Sequence, residues 1–371
     1  MLTCDIKKKL NGFSLDVNLT AKAGVTALMG ASGSGKSMTL RCVAGISKPD
    51  SGRIELNGVT LFDSQKKINL PPQARNTGFM FQDSALFPNM TARQNIMAGA
   101  KKKPRQERIG IAEELAKTFH ISPHLDKYPH ELSGGEKQRC ALARIMAGSP
   151  DILMLDEPFA ALDSHLRWEL ELELAEAFAR FKKPVLYVSH NRDEVYRLCG
   201  EIAIIDHGKS EAARGKWELF ENPGTVQAAR LTGCKNIAAA KTEGTRIFVS
   251  DWGIDFDCGE ACDGVRNVGI RANNIVPLSA VLEAAAADVA ASSPVETVSE
   301  ILEAAAADVA ASFPFEIVSE IEDTFTCILM VRKRGTDLPP IRWEMRKKDR
   351  TALRELPQEL AFLWKHILLL S

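Results

Sequence analysis

The eight residues Gly30-Ala31-Ser32-Gly33-Ser34-Gly35-Lys36-Ser37 have the types and spacing to hold a chain of phosphates. Glycines let consecutive backbone N–H groups turn inward onto phosphate oxygens, and a helix starting just afterwards adds partial positive charge. Lys36 would reach the β- and γ-phosphates, and the Ser37 hydroxyl would ligate Mg²⁺. The pattern G-x-x-x-x-G-K-S carries this meaning only between a strand and a helix. Both neighbours are there: Val25-Thr26-Ala27-Leu28-Met29 reads as a buried strand, and helical periodicity begins near Met38. A Gly/Ser-rich surface loop before an ordinary helix is the bland alternative, and the context argues against it. The expected ligand is a nucleoside triphosphate, held from Gly30 through Met38.

Further along, Ile152-Leu153-Met154-Leu155 reads as a fully buried strand ending in Asp156-Glu157. A strand of a parallel sheet projects such acids at its carboxyl edge, where α/β sheets bind ligands. Asp156 is placed there to hold Mg²⁺ through water, and Glu157 to polarise an attacking water. As a lone motif, two acids after a strand make a capped turn. Another apolar strand, Gly78-Phe79-Met80-Phe81, ends at Gln82, a residue that could ligate Mg²⁺ or orient water. Pro184–Ser189 forms a third buried run and leads to His190, which could contact a γ-phosphate, although a lone histidine there is more often structural. Leu132-Ser133-Gly134-Gly135-Glu136 opens an apolar-periodic helix, with Ser133 as N-cap and the glycines freeing backbone donors. That is a second anion-binding nest, and one nucleotide cannot easily use two.

The elements that must position these groups are strands and helices in alternation. In the first thirty residues Phe13, Leu15, Val17 and Leu19 alternate with polar neighbours, the period of a half-buried strand. Arg53-Ile54-Glu55-Leu56 followed by Asn57-Gly58 reads as a strand and a hairpin turn, so an antiparallel portion flanks the phosphate loop. Residues 83–130 are richer in helical pattern and charge, and Lys101-Lys102-Lys103 reads as a solvated loop.

The whole chain has 371 residues, 45% of them hydrophobic, enough for two domains with a sizeable core. A formal net charge of −1 gives no general reason to expect nucleic acid as a partner. No uninterrupted apolar run approaches the roughly 20 residues that cross a bilayer. The N-terminus lacks a signal peptide's long apolar core. Eight scattered cysteines, with only Cys258 and Cys262 close together, read as reduced thiols rather than a zinc framework.

Taken together, the motifs resemble the nucleotide-binding subunits of ABC transporters. The phosphate loop, Gln82, the L-S-G-G-E signature, Asp156-Glu157, Asp163 and His190 stand in that family's order and at family-like separations. The signature followed by Lys137-Gln138-Arg139 is the most specific part. The resemblance covers about residues 1–230 and implies an α/β ATPase domain with an antiparallel β subdomain and a helical subdomain over 1–234. It implies a homodimer sandwiching two ATP molecules with Mg²⁺. Each ATP would lie between one subunit's loop and the Ser133, Gly134 and Gly135 of the other, with Asp163 nearby. In this setting Glu157, Lys36 and His190 carry hydrolysis, and Ser37, Gln82 and Asp156 serve the metal.

Within the family the chain is most similar to molybdate importer ATPases, through Val59–Ser64, Ile68–Pro72 and Leu86–Thr91. The resemblance therefore implies integral membrane permease partners, an indirect solute-binding protein, and a peripheral position on the cytoplasmic face of the membrane. ATPases of sulfate, iron or sugar importers share much of the pattern. A soluble relative acting on nucleic acid or ribosomes would carry two nucleotide domains or a long coiled-coil insertion, and neither is seen. One departure concerns the adenine: the family stacks it on an aromatic some twenty residues before the loop. Here Leu10 or Phe13 is nearest, and the alternation assigns Phe13 to the core.

Past about Cys234 short β-like runs (246–250, 268–271, 327–331, 341–345) alternate with turns. They predict a small β-barrel-like domain over 235–371, in the position of the regulatory domain of many importer ATPases, which in molybdate systems binds the oxyanion. A tandem duplication interrupts it. Val281–Glu300 and Ile301–Glu320 match except at 281/301, 293/313, 295/315 and 297/317. In the second copy Phe313, Phe315 and Ile317 alternate as a strand would, whereas Ser293, Val295 and Thr297 suit a surface insertion. Both copies carry Leu-Glu-Ala-Ala-Ala-Ala, a strong helix-forming run.

Overall fold

The computed structural model describes the chain except at residues 11, 82–83, 161–163, 260, 293–307 and 354–355. The chain divides into two compact units, Met1–Glu218 and Leu219–Ser371.

The first unit is organised on one mixed sheet, with twelve strands among the described residues. Its antiparallel wing begins with β1 (Leu2–Leu10) and β2 (Phe13–Ala21), paired from Leu2 opposite Ala21 to Leu10 opposite Phe13. Leu15, Val17 and Leu19 are buried while Ser14, Asn18 and Thr20 are exposed, so the alternation is realised. The parallel core starts with β3 (Gly24–Met29), which runs straight into the phosphate loop and α1 (Lys36–Ala44). Then β4 (Ser51–Leu56), β5 (Val59–Asp63) and β6 (Ile68–Asn69) extend the wing. Asn57 and Gly58 both take positive φ between β4 and β5, as a two-residue hairpin turn requires.

The remaining core strands are β7 (Thr77–Met80), β8 (Ile152–Asp156), β9 (Pro184–Val188) and β10 (Glu201–Asp206). Their order is β10-β3-β9-β8-β7, every neighbouring pair parallel. Every residue of β8 and β9 is buried, because helices cover both faces of such a sheet. Short β11 (Lys209–Ser210) pairs with β10 and with β2 and so joins core to wing, while β12 (Arg214–Gly215) pairs with β10.

Between β7 and β8 lies a helical portion: α2 (Ala92–Gly99), α3 (Arg105–Thr118) and α4 (Gly134–Ala147), packed on one another. Lys101, Lys102 and Lys103 are exposed in the loop between α2 and α3, as expected. After β8 come α5 (Ser164–Arg180) and, after β9, α6 (Arg192–Leu198). No helix among the described residues is long and apolar enough to cross a membrane.

The second unit begins inside α7 (Lys216–Glu221), followed by α8 (Val226–Leu231). Sequence reading places residues 219–234 with the first domain. In the structure Ala229 and Cys234 pack with Leu368 and Leu370 near the C-terminus, which draws this segment into the second unit. Beyond α8 lie three small sheets. One joins β13 (Asn236–Ala239), β17 (Asn267–Ile270) and β23 (Ile367–Leu370). Another is the meander β14 (Lys241–Glu243), β15 (Arg246–Val249) and β16 (Ile254–Asp257). The third orders β18 (Val276–Pro277), β22 (Glu359–Leu363), β19 (Val309–Glu322), β20 (Thr326–Lys333) and β21 (Ile341–Arg346). Strands of all three enclose one core, in which Ile247, Phe256, Val268, Phe313, Trp343 and Phe362 are buried together. Phe313 meets Phe362 edge-on at 5.3 Å between ring centroids, and Phe315 meets Trp343 at 5.8 Å. Cys258 and Cys262, expected as thiols, are bonded to each other where the chain turns after β16. The other six cysteines are free and buried.

The duplication resolves into two different structures. In the first copy the chain is helical, as α9 (Leu278–Ser292), and none of Leu278–Ala285 is buried. In the second copy residues 301–307 lie outside the described residues, and the same Val-Ala-Ala-Ser that ends α9 starts β19 instead. The next residues in each copy distinguish them: Phe313 and Phe315 plug the core, where the first copy offers Ser293 and Val295. Burial of Phe313 and Phe315 draws the preceding Val-Ala-Ala-Ser into the strand, although its alanines favour a helix. A short helix, α10 (Lys347–Ala352), completes the unit.

Candidate functional site

The phosphate loop lies between the end of β3 and α1, with backbone donors presented at a helix N-terminus. Gly35 occupies the N-cap position in the left-handed region (φ 111°), and a Cβ there would meet Leu15 Cδ1 at 2.5 Å. At Gly30 a Cβ would sit 2.1 Å from the Ile205 carbonyl oxygen, so β3 can approach β10 this closely only with glycine. There is no acidic residue in the first turn of α1 and no side-chain cap, which leaves its N–H groups for an anion. The Ser34 hydroxyl in the same loop is buried without a partner among the described residues. Phe13, assigned to the core, is half-buried and packs against the core beside Gly35.

Lys36 is nearly buried and donates to the carbonyls of Gly30 (2.9 Å) and Ala31 (2.8 Å). Burial pushes its ammonium below the ordinary lysine value, while Glu157 and Asp156 draw it back up. Ser37 Oγ donates to Asp156 Oδ1 at 2.7 Å. Burial raises the Asp156 carboxyl above its ordinary range, against the Ser37 hydrogen bond and the charges of Arg41 and Lys36. Two hard oxygen donors meeting beside a phosphate cradle are what a small divalent cation such as Mg²⁺ takes.

Adjacent parallel strands bring the acids and the histidine together. Asp156 at the end of β8 lies in register with Val188 at the end of β9, and Glu157 N donates to Val188 O at 3.0 Å. Glu157 takes φ 48°, a left-handed conformation that costs a non-glycine residue about 1–3 kcal/mol. Its carboxylate stands 3.5 Å from His190 Nδ1, and His190 is well exposed. Glu157, Ser189, His190, Asn191 and Glu194 line a cleft of ≈ 50 Å³.

Ser133 is the N-cap of α4, accepting from Glu136 N while Glu136 Oε2 accepts from Ser133 N at 2.7 Å. Ser133 and Gly134 are exposed and Gly135 is buried. Burial opposes ionisation of Glu136, but the Ser133 N–H and neighbouring His124 hold its carboxyl below the usual range. Of the remaining expected site residues, Ala31, Ser32 and Gly33 lie in the loop and Met38 in α1, whereas Gln82 and Asp163 lie outside the described residues.

Sequence reasoning missed two links. Gln138 Nε2 donates to the Pro158 carbonyl, tying the signature helix to the turn that carries Glu157. Arg139 grips Glu173 of α5 with two parallel bonds, at 2.9 and 2.8 Å. Both residues come directly after the signature in sequence, and helical spacing from Ser133 could have directed attention to them.

The sequence pattern of the ABC transporter family matches residues 11–160. The chain is 45% identical over 224 residues to the molybdenum import ATP-binding protein ModC of Paramagnetospirillum magneticum, covering 60% of this chain and 62% of that protein. It is 39% identical over 247 residues to ModC of Rhodospirillum rubrum, covering 67% of each. The chain belongs to the ABC transporter ATP-binding proteins. Membership implies ATP binding, and the open loop and α1 N-terminus are built for it. A further relative of the family, the putrescine transport ATP-binding protein PotG of Escherichia coli, is 41% identical over 60% of this chain and 58% of its own. A solved ABC cassette, dimeric in a post-hydrolysis state with ADP and Pi bound, superposes with a TM-score of 0.50 at 27% identity. It matches 58% of this chain and 98% of the cassette. The match to the Paramagnetospirillum relative spans less than two thirds of that relative's length.

Proposed function

We propose that this chain is the ATP-hydrolysing subunit of an ABC importer for molybdate or a related oxyanion. The observation that carries the hydrolytic reading is the convergence of Lys36, Ser37, Asp156, Glu157 and His190 at the carboxyl ends of β3, β8 and β9. Lys36 binds the β- and γ-phosphates, turning from the loop carbonyls it now contacts. Ser37 and Asp156 hold Mg²⁺ with Gln82, and the ion, when bound, neutralises phosphate charge. Glu157 orients water, and His190 neutralises charge developing on the γ-phosphate.

Two subunits sandwich two nucleotides, the Ser133–Gly135 nest of one facing the ATP of the other, with Asp163 a further nucleotide-binding residue. The exposure of Ser133 and Gly134 supports this, as does the dimeric state of the solved cassette. Dimer closure drives integral permease partners at the cytoplasmic face of the membrane, fed by a solute-binding protein. The domain beyond residue 234 regulates transport. Similarity to two ModC proteins supports molybdate, and similarity to PotG favours a polyamine as the second reading. ATP-driven uptake into vesicles containing the chain with its permease decides between them. Uptake of molybdate and not putrescine is expected; the reverse overturns the oxyanion.

A further inference from the structure

We infer that Glu194 is a positioning residue for His190, acting through Ser189. The inference rests on the hydrolytic reading of His190 given above. Glu194 is a carboxylate with 4% of its surface exposed, on α6, facing back toward the end of β9. It accepts a hydrogen bond from the buried Tyr187 hydroxyl through Oε1, and from Ser189 Oγ through Oε2 at 2.9 Å. Ser189 Oγ in turn accepts from Asn191 N at 3.0 Å. Asn191 Oδ1 accepts from the N–H groups of Asp193 (3.0 Å) and Glu194 (3.3 Å) and so caps α6.

His190 therefore sits in the middle of a closed ring of bonds, Ser189 before it and Asn191 after it, both fixed to the same buried acid. The histidine side chain itself is 69% exposed, so packing does little to hold it. Apart from its approach to Glu157, its orientation comes from its backbone, and the backbone is fixed by its two neighbours. Burial of an acid with both oxygens engaged is expensive unless the bonds are complete. The arrangement trades stability for a rigid turn carrying one exposed imidazole beside Glu157.

A carboxylate can accept from both hydroxyls, whereas an amide offers one acceptor oxygen and one donor. Glu194→Gln therefore keeps the volume but forces one hydroxyl to reverse, loosening the Ser189–Asn191 turn. Misplacement on this scale lowers rates roughly 10- to 100-fold.

The test is a double-mutant cycle on the chain assembled with its permease, with ATP affinity and melting temperature measured alongside single-turnover hydrolysis. Glu194→Gln and Ser189→Ala should each lower the hydrolysis rate roughly tenfold or more while leaving ATP affinity within about twofold. In a His190→Ala background, neither should lower the residual rate further. If His190→Ala is slow and Glu194→Gln slows it again by the same factor, Glu194 does not act through His190 and the inference is overturned. An unchanged rate in Glu194→Gln, or a loss confined to ATP affinity or folding, overturns it equally. If His190→Ala itself hydrolyses ATP normally, the role assigned to His190 fails first and this inference falls with it.

Discussion

Ser37 Oγ and Asp156 Oδ1 meet at 2.7 Å, although 119 positions separate them in the chain. One stands on the first turn of α1 and the other at the end of β8, two strands away from β3 in the sheet. The bond joins the phosphate loop to the acidic strand end, where Asp156 is a buried acid.

That burial has a pH signature. The Asp156 carboxyl is raised, first by desolvation, so the folded chain keeps a proton that the unfolded chain has already released. Stability then falls as pH rises from the unfolded carboxyl value through the raised folded one, and this residue contributes no such loss below that window. Asp156→Asn should remove the dependence and raise the stability of the nucleotide-free chain above the window, while abolishing the stabilisation given by Mg²⁺ with ATP. Thermal melts between about pH 4 and 7, with and without Mg²⁺ and ATP, measure both effects. A variant still stabilised by Mg²⁺ and ATP as the parent is would remove Asp156 from the metal.

The exposed signature serine makes a different prediction. Ser133→Arg should leave ATP binding to the loop intact but block closure of two subunits on nucleotide. Size-exclusion chromatography with ATP, in a Glu157→Gln background, should show a dimer for the parent and a monomer for Ser133→Arg. Equal dimers would place the second nest elsewhere.

The duplication separates structural from dispensable sequence. Phe313 is 1% exposed and meets Phe362, so Phe313→Ala should cost about 3–5 kcal/mol. Deleting residues 281–300 joins Ala280 to Ile301 and restores the helix-forming run with only Val281 exchanged for isoleucine. The second unit should keep its strands and melt within a few degrees of the parent. Calorimetry and circular dichroism test this; a deletion that fails to fold would make the first copy structural.

How much of the molecule was legible depends on where the signal lay. Phosphate chemistry depends on a local string, and Gly30–Ser37 carried it in one stretch. Strands β8 and β9 were legible because four or five consecutive apolar residues leave few other choices. The Glu157–His190 approach was legible only as two strand ends; that they are neighbours depends on sheet order, which no local pattern encodes. The Gln138–Pro158 bond and the Glu194 ring join residues by tertiary packing, and polar residues inside helices give no sign of where they point. β13 and β23 are short and both pair with β17, β23 from about a hundred residues away, beyond any periodicity. The most instructive case is Val-Ala-Ala-Ser, helical at 289–292 and extended at 309–312, where only the residues next in the chain decide.

Glu157→Gln isolates the carboxylate on which hydrolysis depends. The substitution keeps shape and the backbone bond to Val188 while removing the carboxylate that would orient water. In the chain assembled with its permease, ATP should bind with near-parental affinity and turnover should fall about 10²–10³-fold. Near-normal turnover with intact binding would remove Glu157 from catalysis, because the acid standing 3.5 Å from His190 would then not be what activates water.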